Sequence, residues 1–199
     1  MIEKMVFAAG ASDSSMEVIR CMKSMRKLGI KKCLLLQCYS PGEEASAIGG
    51  IVGEIYEENL ARQKELLEEQ GYEVETRIVK GSLENEVNDI AEKENADIIV
   101  TKATNRSLIG DAVFKGLAYE VLHKSEKPVM LVRANFKADA DIECDIMNHI
   151  MFPTDFSENA AKAFGALKSL APCHGTKITL VHVQDTTRMD SELLQKLDE

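Results

Sequence analysis

The sequence predicts an α/β protein in which a five-stranded parallel sheet is sandwiched between helices. From Lys4 to Arg133, short apolar segments typical of strands alternate with longer segments that have helical periodicity. The segment Cys33–Cys38 is apolar on both faces, as a strand is when helices cover both sides of its sheet. Strands and helices that alternate in this way form parallel sheets. We expect the strand order 3-2-1-4-5.

The clearest βαβ unit extends from Ala96 to Arg133. A buried strand at Asp97–Thr101 leads into a polar loop at Lys102–Asp111, then an amphipathic helix at Ala112–Lys124 and a second apolar strand at Val129–Val132. In open α/β sheets, ligands bind beyond the carboxyl ends of the strands. The polar loop is therefore the first place to expect a functional site.

The other elements follow from the same periodicities. We predict strands at Met5–Ala9 and Cys33–Cys38, and a half-exposed edge strand at Tyr72–Val79. Helices are expected before Gly29, at Glu54–Gln70 and at Glu84–Glu94, and Tyr39–Gly53 is expected to be a long loop or lid. The predicted inward positions on these helices are Val18, Ile19, Met22, Met25, Ile55, Leu60, Leu66, Leu67, Val87, Ile90 and Ala91.

An internal repeat begins after the first βα array. His149–Ser157 repeats the pattern of Lys4–Ser12 with an offset of 145 positions (149 − 4), and the match continues without a gap to Lys32 and Lys177. The sequence therefore predicts a first α/β domain at 1–134, a linker at 135–148 and the incomplete N-terminal part of a second domain at 149–199.

Composition excludes several classes of function. The net charge of −9 argues against non-specific nucleic-acid binding, which needs a basic surface. No apolar run approaches the roughly 20 residues of a membrane span, and the N-terminus has no signal-peptide pattern. The five cysteines are scattered and form no CxxC motif, which favours a reduced, cytoplasmic setting. The four histidines show no metal-ligand spacing.

Several segments resemble the universal stress protein family. The segments are the small polar turn Ala8–Ser15, Gly81-Ser82 before a helix, Ala96–Val100, the closing Val121–Arg133 and, most specifically, Pro153–Asn159. The sequence is similar to a tandem member of that family with an incomplete second copy. The resemblance implies a fold of the adenine nucleotide alpha hydrolase-like type, a homodimer and, as in many members, ATP binding.

The resemblance also identifies a candidate nucleotide site that lacks the family's glycines. ATP-binding members have an Asp at the end of the first strand and a Gly-x-x-Gly-x9-Gly-Ser/Thr loop after the fourth. Glycines let backbone N–H groups approach phosphate oxygens, so their loss predicts a degenerate site. Here Gly10 replaces the Asp, Lys102, Asn105 and Lys115 replace the loop glycines, and Gly116 replaces the hydroxyl residue. The candidate site residues are Gly10, Cys38, Lys102, Asn105, Arg106, Ser107 and Gly116, with Asp155 in the second copy.

The sequence favours a non-enzymatic regulatory protein that acts by dimerisation and contacts with other proteins, without a cofactor or a metal. One alternative is an adenine-nucleotide switch or slow ATPase that uses Lys102, Asn105 and Ser107. Another is a thiol redox sensor at Cys38. No Ser/His/Asp or Cys/His catalytic arrangement can be identified in the sequence.

Overall fold

The computed structural model describes residues 2–9, 13–39, 49–102, 117–133, 145–170 and 175–183. The chain divides into two compact units, Met1–Ile146 and Met147–Glu199. None of the helices in the described ranges combines the length and the hydrophobicity that a membrane span requires.

The first unit contains one five-stranded parallel sheet with the order β3-β2-β1-β4-β5, which confirms the predicted topology. Its strands are β1 (Lys4–Ala8), β2 (Lys32–Tyr39), β3 (Glu73–Lys80), β4 (Ile98–Lys102) and β5 (Val129–Val132). Its helices are α1 (Asp13–Cys21), a 3₁₀ helix (Met22–Leu28), α2 (Gly49–Glu69), α3 (Leu83–Lys93) and α4 (Leu117–Lys124).

The core lies on both faces of the central strands, as expected for a doubly covered sheet. In register, Phe7 of β1 pairs with Leu35 of β2, and both are buried. Their neighbours point to the opposite face because side chains alternate along a strand. There they form a buried cluster with α3, α4 and β4, composed of Val6, Ala8, Leu34, Leu36, Val87, Ile90, Ala91, Ala96, Ile99 and Val121.

The structure corrects the prediction for α2. The helix begins at Gly49 instead of Glu54, so the predicted loop or lid loses its last residues, while residues 40–48 lie outside the described part of the chain. Ile55 is exposed, contrary to expectation, and Gln63 is buried. The buried stripe is formed by Leu60, Gln63 and Leu67, whose spacing places them on one helical face. Because each residue turns the helix by roughly 100°, Ile55 lies about 140° around the helix axis from Leu60 and therefore outside this stripe.

The end of the first helical segment winds as a 3₁₀ helix, which the periodicity did not predict. The buried Tyr72 hydroxyl donates to the Met22 carbonyl oxygen at 2.6 Å, and the Ser24 hydroxyl donates to the Cys21 carbonyl oxygen at 3.0 Å. Side-chain donors thus satisfy carbonyls in the last turns, which accords with a local departure from α-helical bonding. Gly29 ends the segment with a φ of 93°, a conformation that favours glycine.

Tyr72→Phe should lower the free energy of unfolding of the first unit by about 1–2 kcal/mol, because the buried Met22 carbonyl loses its side-chain donor while the ring still packs. Urea denaturation followed by circular dichroism measures this effect. Tyr39→Phe, in a half-buried tyrosine on β2, serves as the matched control and should change stability by less than about 0.5 kcal/mol. Equal effects of the two variants would contradict the assigned role.

The described part of the second unit is one βαβ unit formed by β6 (His149–Pro153), α5 (Glu158–Leu170) and β7 (Lys177–Val181). The parallel strands pair with His149 opposite Lys177, which repeats the pairing of Lys4 with Lys32 at the same offset. The Phe152 ring of β6 packs against the Phe164 ring of α5 at a centroid distance of 5.5 Å. The assignment of this unit as an incomplete second copy stays a prediction.

Candidate functional site

The carboxyl ends of β2, β1 and β4 meet at one edge of the first sheet. Ala8 of β1 pairs with Leu36 on one side and with Thr101 on the other. Cys38 and Lys102 lie just beyond that level, two strand spacings apart, which corresponds to roughly 10 Å. The structure therefore brings these two predicted site residues to the same edge of the sheet.

Lys102 is half-buried and ends β4, in register with Val132 of β5. The remaining candidates of the first unit lie outside the described residues. They are Gly10, Asn105, Arg106, Ser107 and Gly116. Their grouping into one nucleotide site stays a prediction.

Cys38 lies in an acidic, partly buried environment. Burial, followed by the carboxylates of Glu86 and Glu84, raises the pKa of the Cys38 thiol to about 11. Both glutamates lie at the start of α3, next to the carboxyl end of β2, and sequence reasoning missed them. Their position near Cys38 could have been predicted from the sequence, since β3 neighbours β2 in the predicted strand order and α3 follows β3 directly. Cys38 is therefore protonated at neutral pH, and two carboxylates disfavour an anion beside it.

Cys38 should react with iodoacetamide at pH 8 on the order of a hundredfold more slowly than free cysteine, because a thiol with a pKa of about 11 has very little thiolate at that pH. Mass spectrometry of the alkylated peptide measures the rate. The Glu84→Gln/Glu86→Gln double variant should react faster at low salt, since the coulombic part of the shift is removed while burial remains. A wild-type rate equal to that of free cysteine would show that the thiol is activated.

A second polar cluster lies at the carboxyl ends of β6 and β7. Asp155 is exposed, and its Oδ1 accepts a hydrogen bond from the Ser157 backbone N–H at 2.9 Å. Hydrogen bonds from the side chain and backbone of Ser157 lower the pKa of this carboxyl. Ser157 in turn caps α5, because its hydroxyl accepts from the Ala160 backbone N–H at 3.2 Å. Asp155 is thus a carboxylate held by a turn at the start of a helix.

The same turn contains an aromatic pair that the sequence did not predict. Phe156 has a φ of 60°, which is uncommon for a residue with a side chain, and its exposed ring lies 4.7 Å from the His182 ring. The His182 Nδ1 atom lies 2.8 Å from the Thr154 carbonyl oxygen. Strained backbone of this kind concentrates at functional sites, but it leaves no trace in apolar periodicity.

Within the described ranges, no group of three or more His, Cys, Asp or Glu side chains is arranged to hold a metal ion. Cys33 and Cys38 are free thiols, and burial raises the pKa of Cys33 to about 12. Cys21 is disulfide-bonded, which the expectation of a reduced set of cysteines did not foresee.

A protein-family model matches the part of the chain that forms the first sheet. The family model described as "Universal stress protein family" matches residues 1–133, which is more than half of the chain. The chain belongs to the universal stress protein family. This membership confirms the resemblance carried by the turn, helix-start and strand motifs, whereas the tandem arrangement stays a prediction.

A curated universal stress protein of Methanocaldococcus jannaschii is 29% identical over 86 residues. The aligned region covers 43% of this chain and 51% of that protein, so the chain spans about half the length of the curated relative it matches.

Solved universal stress proteins share the fold. The crystal structure of a universal stress protein from Archaeoglobus fulgidus aligns with a TM-score of 0.74 at 20% sequence identity. The alignment covers 98% of this chain and 70% of the Archaeoglobus chain. The structure of a universal stress protein in complex with cAMP aligns with a TM-score of 0.51 at 20% sequence identity. That alignment covers 67% of this chain and 98% of the chain in the cAMP complex. At these identities, the likeness shows the fold alone.

Proposed function

We propose that this universal stress protein is a non-enzymatic regulatory protein that acts as a homodimer through contacts with other proteins. The observation that carries the proposal is Lys102 at the end of β4, where ATP-binding members have the first glycine of their phosphate loop. Asn105 and Lys115 replace the other two glycines.

Physical chemistry explains why these replacements weaken a triphosphate site. A phosphate cradle needs successive backbone N–H groups that point at the anion, and glycine permits both the required dihedral angles and the close approach. Side chains at all three positions restrict that geometry. At the other side of the same edge, Glu84 and Glu86 add negative charge near Cys38. Together these features favour a first domain with a degenerate ATP site.

An adenine-nucleotide switch is the alternative, supported by the family member solved in complex with cAMP. In this proposal Lys102, Asn105 and Ser107 contact the phosphates of an adenine nucleotide, which the protein either only binds or, as a slow ATPase, also hydrolyses. Denaturing the purified protein and separating the released small molecules by chromatography tests it. A stoichiometric adenine nucleotide in the extract would favour the switch over the ligand-free regulator.

The redox-sensor alternative at Cys38 is disfavoured by the raised pKa of that thiol. Cytoplasmic location remains part of the proposal and rests on the scattered spacing of the five cysteines.

The homodimer proposal fits the outer edge of the sheet. β5 ends the strand order and pairs with β4 on one side, and none of the described strands pairs with its other side. Leu131 of β5 is 37% exposed. An edge strand with an exposed apolar side chain is a template for pairing with a second chain, and members of this family often pair through the last strand.

Light scattering on the full chain should give twice the 22.0 kDa chain mass. Leu131→Lys should shift the protein toward the monomer, because a charged side chain on an edge strand disfavours edge-to-edge pairing. Leu122→Lys is the matched control, since Leu122 lies on α4 with a similar exposure of 44%. A monomeric wild type, or equal dissociation by both variants, would contradict dimerisation through β5.

A further inference from the structure

The first sheet has a second edge, formed by β3 at the end opposite β5. β3 pairs with β2, and none of the described strands pairs with its other side. The Glu73 backbone N–H donates to the Lys31 carbonyl oxygen at 2.8 Å, so the backbone groups of Glu73 point toward β2. Because these groups alternate along a strand, those of Thr76 and Ile78 point away from β2. β3 therefore presents hydrogen-bond donors and acceptors at its outer edge.

A groove lies between α2 and β3 on one face of the sheet. Its volume is about 420 Å³. The residues that line it are Glu57, Leu60, Ala61 and Lys64 of α2 and Thr76 and Ile78 of β3. Ile78 is 37% exposed, so an apolar side chain of the strand is accessible in the groove. The two strand residues of the groove are the same ones whose backbone groups point to the outer edge, and a single added strand can therefore contact both.

The elements around this edge hold almost all of the net charge of the chain. The segment Gly49–Glu94, which comprises α2, β3 and α3, contains 13 acidic and 5 basic residues, a net charge of −8 out of −9 for the whole chain. The helix α2 covers the face with the groove, whereas Val79 of β3 packs on the opposite face against the cluster that contains Val87 of α3. The β3 edge thus lies between two acidic helices, whose negative potential attracts cations.

The two faces of β3 differ in chemistry. The groove residues of β3 point toward α2, and the exposed Glu73 and Glu75 point to the opposite face, because side chains alternate along a strand. Arg77 lies on the same face as these glutamates, and its guanidinium forms an ion pair with the Glu94 carboxylate at 2.7 Å. A strand added to this edge would therefore place its side chains alternately beside the groove and beside the carboxylates.

We propose that the β3 edge binds an extended segment of a partner protein in which apolar residues alternate with lysine or arginine. The backbone of this segment pairs with Thr76 and Ile78 and extends the sheet by one strand. Its apolar side chains enter the groove, and its basic side chains lie next to Glu73 and Glu75, since opposite charges on neighbouring strands stabilise their pairing. The segment belongs to a protein contacted in the proposed regulatory function, on which this inference rests.

A second copy of this chain does not complement the edge. Pairing of two β3 edges would bring the acidic helices of both copies together, and like charges across an interface disfavour it. Charged side chains on edge strands prevent self-association in this way. A cationic extended segment complements both the charge and the hydrogen-bonding groups of the edge.

The synthetic peptide Lys-Val-Lys-Leu-Lys-Val-Lys, added to the full chain, tests this binding mode. At saturating peptide, the Thr76 and Ile78 amides should exchange hydrogen at least about fivefold more slowly, because their outward N–H groups become bonded. No protection at millimolar peptide, or protection at Leu131 of β5 in their place, would overturn the proposal. Protection that grows with protein concentration in the absence of peptide would assign the edge to a second copy and would also overturn it.

Fluorescence anisotropy of the labelled peptide measures the affinity of variants. Ala61→Phe fills the groove from an exposed helix position and should weaken binding at least about tenfold, because the apolar side chain of the peptide loses its pocket. At low salt Glu57→Lys should weaken binding about threefold or more, whereas Glu126→Lys, the same charge change before β5, should alter it less than about twofold. Equal losses from the two charge variants would show non-specific attraction only and reject the proposal.

N-methylated peptides test the backbone pairing without altering the protein. Methylation of alternate residues in the two possible registers gives two peptides of equal charge, of which only one keeps the donors that face β3. One should bind like the parent peptide and the other at least about tenfold more weakly, and equal affinities would reject strand addition. A dimer that binds neither ATP nor the parent peptide would reject the β3 site alone, whereas micromolar ATP binding would contradict the proposed function instead.

Discussion

Leu35→Ala should lower the free energy of unfolding of the first unit by about 2–5 kcal/mol, because it removes a fully buried side chain from the central sheet and leaves a cavity. Leu35 lies on β2 opposite Phe7 and is 0% exposed. Because the chain contains no tryptophan, far-UV circular dichroism during urea denaturation is the appropriate measurement.

The βαβ unit of the second compact unit provides a matched control for this variant. Leu180 occupies the same register position in β7, opposite Phe152, but it is 58% exposed. Leu180→Ala should therefore cost less than about 1 kcal/mol, in keeping with exposed sites. Equal losses from the two variants would show that burial in the two units is not as different as the structure indicates.

Gly81→Ala should destabilise the first unit by about 1–3 kcal/mol, the usual cost of forcing a side chain into a disfavoured backbone conformation. Gly81 has a φ of 146°, and an added Cβ atom would lie 2.5 Å from Glu86 Oε1 and 2.7 Å from Glu86 Cγ. The Gly81 N–H also donates to the Tyr39 carbonyl oxygen at 3.0 Å, so the turn joins the end of β3 to β2. Thermal unfolding measures the loss.

Gly53→Ala is the control for this variant. Gly53 lies inside α2, and an added Cβ atom would meet nothing within 4 Å. Because alanine favours the helix over glycine, we expect this variant to stabilise the unit by up to about 1 kcal/mol. The Gly81→Ala prediction is wrong if both variants change stability in the same direction.

The topology could be predicted because each strand and helix has a strong periodic pattern. The alternation of β and α segments implied a parallel sheet, and the buried positions Val87, Ile90 and Ala91 have the spacing of one helical face. The stripe on α2 was harder to identify, because it contains Gln63, a polar residue that hydropathy assigns to the surface. The prediction missed the start of that helix at Gly49, because Gly49 and Gly50 are poor helix formers in isolation.

The candidate site was predictable only where it depends on strand ends. Cys38 and Lys102 lie at one edge of the sheet, since parallel strands present their carboxyl ends together, and their role in a nucleotide site stays a prediction. The raised pKa of Cys38 depends first on burial and then on glutamates from another element, and the backbone strain at Phe156 depends on tertiary context. The disulfide at Cys21 could not be predicted from the sequence either, because cysteine spacing does not reveal pairing.

Isothermal titration calorimetry of the full chain with ATP and Mg²⁺ tests the central claim most directly. An ATP-binding member of the family in the same buffer is the positive control, and Asp155→Asn separates the two units, because Asp155 lies in the second. The account predicts no binding at micromolar concentrations in either form. A micromolar dissociation constant, roughly −8 kcal/mol, that persists in Asp155→Asn would place a working nucleotide site in the first unit and contradict the account.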